Sequence, residues 1–577
     1  MISSKGFRYD IQGLRAIAVI AVIIFHCGFL PNGYLGVDVF LVISGFLITK
    51  IIYVDFQQDK YSVAVFYERR FRRIIPLVLL TASVVLILGL LFMLPDDLEN
   101  LSQSVIATNF FGNNVLQYLT VGDYWDVWNE YKPLLHTWSL GVEEQFYVVF
   151  PFLFIILKSH KKYLLPSLVV LTVGSVLLFI FTKNDAFRFY LLPTRFFEIS
   201  IGGLAALNID KMKGNLPISV AAFFVLIFML FFEFGLPTEL EIIVTVIASV
   251  SLIYFNRSSY FINKLLENKA IVYLGTISFS LYMWHQVILA YFRYTVTQEI
   301  TVSWLLILLT LMFIVSILSY NYVENYLRDK RNITTKKLLI YSIVVFMALN
   351  VTSFVVYVRA GVMKDVPELE ITTKNAVRGL HAKYNARNYD LDQDFKTTDK
   401  IKVMVIGNSF ARDWANILLE SNYAKDVEIS YSFDYKESKN MQARLNQADV
   451  IFLSTFTKDD YKQLEEKYKV DINKVWITGT KNFGSNNGVV YNNKGADYCA
   501  QRAVVSNFDL VLNKRLNKEW GAKHIDLLAK VTGADGKVIV FTPDCKLISQ
   551  DTRHLTRAGA EMFSNLLDLK MYLKKKI

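Results

Sequence analysis

Ser409, Asp551 and His554 are the residues whose types and spacing most directly offer chemistry. The strand-like stretch Lys402–Ile406 runs into Gly407-Asn408-Ser409-Phe410, and a helical pattern follows from Ala411. A serine on such a strand-to-helix turn stands at the C-terminal edge of a sheet, where α/β active sites gather. An aspartate three residues before a histidine can hold the imidazole tautomer while the other ring nitrogen faces a serine, which is the logic of orienter, base and nucleophile. A second set lies in strongly apolar sequence. Arg15 and His26 are eleven positions apart, which at ~100° and ~1.5 Å per helical residue puts them on nearly one face and about 16 Å apart. Ionisable groups inside membrane helices are costly and mark functional positions by default. Glu143, in the run His136-Thr137-Trp138-Ser139-Leu140-Gly141-Val142-Glu143, is expected near the depth of His26, where a carboxylate could orient the imidazole or simply pair with a cation. Asp10 is a second acid that could orient it. Arg69, Arg70, Arg72 and Arg73 form a cluster whose guanidinium forks suit phosphate oxygens, or else the head groups of anionic lipids.

These residues need a membrane bundle and a globular domain to position them. The chain has 577 residues, 53% of them hydrophobic, yet its final third reads as ordinary charged globular sequence. Eleven apolar runs have roughly the length of a transmembrane helix: Leu14–Leu30, Val37–Tyr53, Ile74–Leu94, Leu134–Leu157, Tyr163–Thr182, Phe189–Leu207, Pro217–Phe232, Thr238–Phe255, Ile271–Phe292, Val302–Tyr322 and Leu338–Val358. The net charge of +11 does not call for nucleic acid, because the basic residues fall in alternate short loops, as the positive-inside rule requires. Topology therefore puts the N-terminus inside the cytoplasm and everything after Val358 outside. Cys499 and Cys545 both lie in that outer part, where a disulfide is plausible. From Ile401 onward, strand-like Lys402–Ile406, Asp449–Thr455, Lys474–Thr478 and Lys537–Thr542 alternate with amphipathic helices, which argues for an α/β domain with a mainly parallel sheet. The domain reading is 1–335 membrane bundle of ten helices, 336–358 an eleventh helix, 359–400 a polar connector and 401–577 the outer domain.

Tyr9–Arg15, the Arg15–His26 spacing, Gly33–Phe46, Phe66–Arg73, Leu134–Tyr147 and Ser278–His285 resemble the bacterial membrane acyltransferase family 3. The resemblance implies a bundle of ten helices that takes an acyl group, usually acetyl, from acyl-coenzyme A in the cytoplasm and delivers it to a glycan beyond the membrane. It implies His26 and Arg15 as the essential pair and Arg69–Arg73 as a coenzyme A phosphate site. It also implies active-site or substrate-binding positions for Glu143, His136, Trp138, Trp284 and His285. Val287 and Tyr326 stand where the family often has proline. The outer block Gly407-Asn408-Ser409 with Asp551 and His554 resembles the SGNH hydrolase family, an α/β three-layer fold, with Asn408 in place of the usual aspartate. The stretch near Ile451–Thr457 offers hydroxyls but not the family's third-block asparagine. Fusion of the two resembles the enzymes that O-acetylate bacterial surface polysaccharide such as lipopolysaccharide O-antigen. The expected partners are acetyl-coenzyme A as donor, a lipid-linked or exported glycan as acceptor and membrane lipid, with no metal, in a multi-pass protein of the bacterial inner membrane with a periplasmic or extracellular C-terminal domain. A peptidoglycan acceptor, a membrane-anchored esterase and an outer glycan-binding module are the competing readings.

Overall fold

A computed structural model of the full chain describes all residues except 1–7, 59, 121–129, 209–212, 258–260, 375–379, 398, 435–437, 455–456 and 574–577. The chain divides into two compact units, Met1–Leu91 with Asn100–Arg293 and Glu299–Phe354, and Phe92–Glu99 with Tyr294–Gln298 and Val355–Ile577.

The apolar runs fold as helices α1 (Tyr9–His26), α2 (Gly36–Gln57), α3 (Val63–Phe92), α4 (Thr137–Ile156), α5 (Leu164–Phe181), α6 (Leu192–Leu207), α7 (Leu216–Phe231), α8 (Thr238–Phe255), α9 (Ser278–Thr295), α10 (Val302–Ser319) and α11 (Thr335–Val358). Eight stretches of the described residues are long and apolar enough to cross a membrane by length and composition. The stretches that meet that measure do not include α6, α7 or α9, so length and hydropathy alone do not carry a count of eleven. The first unit packs through small residues. A side chain at Gly45 would lie 1.7 Å from the Ile199 carbonyl oxygen and one at Gly202 2.1 Å from that of Val42. Glycine therefore lets the α2 and α6 backbones touch, the usual device where two apolar helices share no hydrophobic driving force. One buried cluster of charge inside this bundle is paired: the fully buried Arg195 reaches Asp38 at 2.8 Å and Glu198 at 2.6 Å, an arrangement that offsets a large desolvation cost.

In the second unit, strands β1 (Ile401–Ile406), β2 (Val427–Ser432), β3 (Val450–Leu453), β4 (Val475–Thr478), β5 (Arg502–Val504), β6 (His524–Ile525) and β7 (Lys537–Ile539) make two sheets. The main sheet is parallel in the order β2-β1-β3-β4-β6. Successive side chains of β1 serve opposite faces, as a strand buried on both sides requires. Val403 and Val405 pack with Trp414 in one core, while Met404 and Ile406 pack with Leu445 and Leu464 in the other. This is the three-layer α/β arrangement expected. The stretch Lys537–Thr542 departs from expectation, because only Lys537–Ile539 forms a strand and it pairs antiparallel with β5, outside the main sheet. Residues 359–400 are built into this unit where described: Asn388 donates to Asn416 Oδ1 at 2.9 Å and Arg387 pairs with Glu420 at 2.6 Å. Cys499 and Cys545 form a disulfide with a Cα–Cα distance of 5.2 Å.

Candidate functional site

In the second unit, the strand-to-helix turn after β1 is set by Gly407, whose φ of +129° lies in the region that L side chains avoid. A Cβ at that position would meet the Ser454 carbonyl oxygen at 2.6 Å, so the turn closes against the end of β3. Asn408 caps the helix that follows, α12 (Ser409–Leu419): its Oδ1 accepts from the Phe410 N–H at 3.0 Å. The exchange of aspartate for asparagine thus keeps the cap. Ser409 is the first residue of α12, among backbone N–H groups with no intrahelical partner.

Ser409 Oγ lies 2.8 Å from His554 Nε2, and His554 Nδ1 lies 2.5 Å from Asp551 Oδ2. A carboxylate can only accept, so the proton sits on Nδ1 and Nε2 is left to accept the Ser409 hydroxyl. Asp551 Oδ1 also accepts from the N–H groups of Arg553 at 3.0 Å and His554 at 2.7 Å. Burial works to raise the Asp551 pKa, but the hydrogen bonds from His554 and the loop N–H groups outweigh it and hold the carboxyl well below its usual range. A depressed folded pKa means that this contribution to stability is in place above about pH 4, the ordinary aspartate value, and is lost on further acidification. Thr552, between the two residues, takes a left-handed φ of +67° and its carbonyl accepts from the Phe483 N–H at 2.8 Å.

Beneath the triad lies a pair that the sequence reading missed. Lys481 Nζ is 2.8 Å from Asp413 Oδ2, each side chain 1% exposed, and 3.7 Å from the Phe410 ring centroid. The same Asp413 oxygen accepts from the Leu555 N–H at 3.0 Å. One carboxylate, a helical turn below Ser409, thus ties α12 to the loop after β4 and to the loop that carries His554. Burial lowers the Lys481 pKa and Asp413 opposes that shift. Removing one member of a buried pair leaves the other uncompensated. Lys481→Met is therefore expected to cost about 3–5 kcal/mol of stability, read as a lowered thermal midpoint, and Lys481→Met with Asp413→Asn should recover most of it. Of the third-block stretch, Ser454 abuts Gly407, and Thr455 and Phe456 lie outside the described residues.

In the first unit, a cavity is lined by Arg15, Arg70, Arg73, Glu143, Tyr147 and Tyr282 among others. Here the four-arginine reading divides. Arg70 and Arg73 face the cavity together with Arg15. Arg72 does not: its buried guanidinium donates to the carbonyls of Leu327 and Ile333, both at 3.0 Å, and to Thr335 Oγ1 at 2.9 Å, which fastens α3 to the chain leading into α11. Arg69 lines a separate cleft with Arg8 and Lys50.

Glu143 accepts from Ser44 Oγ at 2.9 Å and from Tyr147 at 3.2 Å. It therefore belongs with Arg15 in the cavity rather than beside His26, because α1 ends at His26 and α4 begins only one residue after His136. That puts Glu143 about 10 Å further along α4 than His136. The neighbours of His26 are histidines: His285 has its ring centroid 5.2 Å from those of both His26 and His136. Tyr282 stands between this trio and the cavity, donating to the His136 carbonyl at 2.8 Å with its ring 5.3 Å from His285. His285 Nδ1 is 2.6 Å from the Tyr282 carbonyl, which fixes the tautomer and leaves Nε2 as acceptor. Asp10 is not an orienter of His26, since it pairs with Arg8 at 2.7 Å at the other end of α1. The two tryptophans of the sequence reading are both buried. Trp138 is 2% exposed and lies against Phe189 and Tyr190, and Trp284 donates to Ser319 Oγ at 2.7 Å. Arg293, unremarked in the sequence, donates to the His26 carbonyl at 2.6 Å. Among the described residues, no group of three or more His, Cys, Asp or Glu could hold a metal ion.

Comparison with known proteins agrees with this architecture. A family model described as an acyltransferase domain matches residues 8–321. The peptidoglycan O-acetyltransferase OatA of Listeria monocytogenes is 30% identical over 355 residues, 56% of this chain and 56% of that protein. The O-acetyltransferase OatA of Staphylococcus aureus is 30% identical over 355 residues, 57% of this chain and 58% of that protein. The alignments thus span little more than half the length of these curated relatives. No solved structure matches. The matched span runs through α1 to α10 and takes in the Arg15 cavity and the histidine trio, so the chain is a multi-pass membrane protein that belongs to the acyltransferase family of that model.

Proposed function

We propose that this protein moves an acyl group, acetyl by the names of its relatives, from acyl-coenzyme A in the cytoplasm to a hydroxyl of an extracytoplasmic glycan. The observation that carries the reading is a complete serine–histidine–aspartate relay in a chain whose membrane unit is an acyltransferase. Arg15, Arg70 and Arg73 bring three guanidinium groups to one cavity, a donor set suited to coenzyme A phosphates. The basic residues of alternate short loops support an N-terminus on the cytoplasmic side of the inner membrane and a catalytic unit outside it.

In the outer step, Ser409 Oγ attacks the acyl carbonyl and its proton passes to His554 Nε2. The bond to the donor breaks, the leaving group takes the proton from Nε2, and an ester forms on Oγ. A glycan hydroxyl then gives its proton to Nε2 and attacks that ester, the glycan ester forms, and Ser409 recovers its proton. Asp551 holds the imidazole and stabilises its cation in both halves. N–H groups at the start of α12 are the nearest donors for the developing oxyanion.

The similarity to the peptidoglycan O-acetyltransferase of Listeria monocytogenes favours peptidoglycan over lipopolysaccharide O-antigen as acceptor. The test is protein reconstituted in vesicles, with radiolabelled acetyl-coenzyme A on the cytoplasmic side and peptidoglycan strands on the other. Label is expected on the glycan as base-labile ester. Release of acetate from acetylated glycan with no demand for acetyl-coenzyme A would instead identify a membrane-anchored esterase.

A further inference from the structure

Beside the nucleophile turn lies a group of aromatic rings that neither the relay nor the fold requires to be exposed. Tyr431, fully buried at the end of β2, donates from its hydroxyl to the Gly407 carbonyl at 3.1 Å, two residues before Ser409. The Tyr389 ring packs against it with centroids 5.8 Å apart, and Phe433 lies 6.4 Å from Tyr389. Tyr389 is 47% exposed and Phe433 is 55% exposed. They form a ledge at the C-terminal edge of the sheet, on the β2 side of the turn that bears Ser409. β1 and β2 run in register up to Ile406 and Ser432, so Gly407 and Phe433 leave the sheet at the same level.

Large apolar side chains left in water beside an active site mark a surface that something covers. Aromatic faces carry partial negative charge and so attract the slightly positive C–H groups on the apolar face of a pyranose. Tyrosine adds a hydroxyl for a sugar's polar rim. Two tilted rings a few ångströms apart match consecutive sugar units better than a small acyl donor, which needs only the serine and its oxyanion donors.

We infer that Tyr389 and Phe433 form a stacking subsite for the acceptor glycan and hold a sugar unit next to the one whose hydroxyl reaches Ser409. The inference rests on the proposed glycan acyl transfer and adds the surface that recognises the acceptor. Tyr431 positions the ledge by joining Tyr389 to the Gly407 carbonyl, so acceptor position and nucleophile are referred to one backbone turn.

The test uses the full-length protein in detergent and the β-1,4-linked tetramer of N-acetylglucosamine as probe, with binding followed by calorimetric titration. Phe433→Ala truncates a half-exposed side chain, so the variant should fold normally, and Tyr389→Ala is the second probe. Each is expected to weaken tetramer binding at least tenfold and to raise the KM for glycan acceptor by a similar factor. Phe433→Trp and Tyr389→Phe, which keep a ring, are expected to bind within about twofold of the unsubstituted protein. Alanine variants that bind the tetramer as well as the unsubstituted protein would overturn the subsite, as would an unsubstituted protein that does not bind it. Either result leaves the acyl transfer itself to the radiolabel experiment, which distinguishes failure of the ledge from failure of the function.

Discussion

Ser409→Ala is expected to abolish acylation of glycan while the protein is made at its normal level and keeps its fold. The side chain removed is a single hydroxyl whose one described bond is the 2.8 Å contact to His554 Nε2. The Asn408 cap, the Asp551–His554 bond and the Asp413–Lys481 pair stay intact, so structure should be nearly unaffected. The chemical loss is large because nothing else in the relay can carry an ester. Removing the nucleophile of a serine triad costs on the order of 10⁶-fold in kcat. Hydrolysis of a small activated ester and transfer to glycan should fall together. Transfer that persisted at the unsubstituted rate would show that the acyl group reaches the glycan without an ester on Ser409.

The juxtaposition of Ser409, His554 and Asp551 was legible in the sequence because its signals are local. A strand ending in Gly407-Asn408-Ser409 fixes the nucleophile on a turn, and Asp551 and His554 sit within one loop where three residues of spacing suffice for a hydrogen bond. The helices of the first unit were equally legible, since each apolar run falls on one, although only eight stretches of the described residues have the length and hydropathy to cross a membrane. What sequence could not supply is the direction of a side chain within a bundle. Successive helical residues point about 100° apart, so Arg69, Arg70, Arg72 and Arg73 spread over nearly half the circumference of α3 rather than one narrow stripe. Only the packing of α3 decides that Arg70 and Arg73 reach the cavity and Arg72 is spent on carbonyls near α11. Depth failed for a related reason. Apolar runs locate a helix to within a turn or so, and α1 begins at Tyr9 and stops at His26 rather than running from Leu14 to Leu30. That shift moves His26 from mid-helix to a helix end and separates it from Glu143. β2 was missed although Val427-Glu428-Ile429-Ser430-Tyr431-Ser432 alternates in the manner of a strand, and Lys537–Thr542 was overread because an apolar run says nothing of which sheet it joins.

His26→Ala should also eliminate product, for a different reason, and comparison with Ser409→Ala separates the two sites. The main chain at His26 is clamped independently of its ring: Arg293 holds the carbonyl at 2.6 Å, and α1 itself packs through Gly13 against Leu266 and through its buried face. Truncating the ring therefore removes the imidazole from the His26–His285–His136 trio without releasing the helix. In that trio His285, with its Nδ1 committed to the Tyr282 carbonyl, keeps Nε2 as an acceptor that can take a proton from a neighbouring ring, and His26 is the ring we assign to proton exchange with the reacting group. Loss of a general base alone typically costs about 10²–10⁴-fold. If it also gates the sole route of the acyl group through the membrane unit, glycan acylation falls to background. Ser409→Ala leaves that route open, whereas His26→Ala closes it ahead of Ser409. Accordingly, in the absence of acceptor, label from acetyl-coenzyme A should accumulate covalently on the unsubstituted protein and on neither variant. Hydrolysis of a small ester supplied directly to the outer unit should survive in His26→Ala and vanish in Ser409→Ala. Covalent label on His26→Ala, or glycan acylation by it at the unsubstituted rate, would remove the histidine from the path of the acyl group.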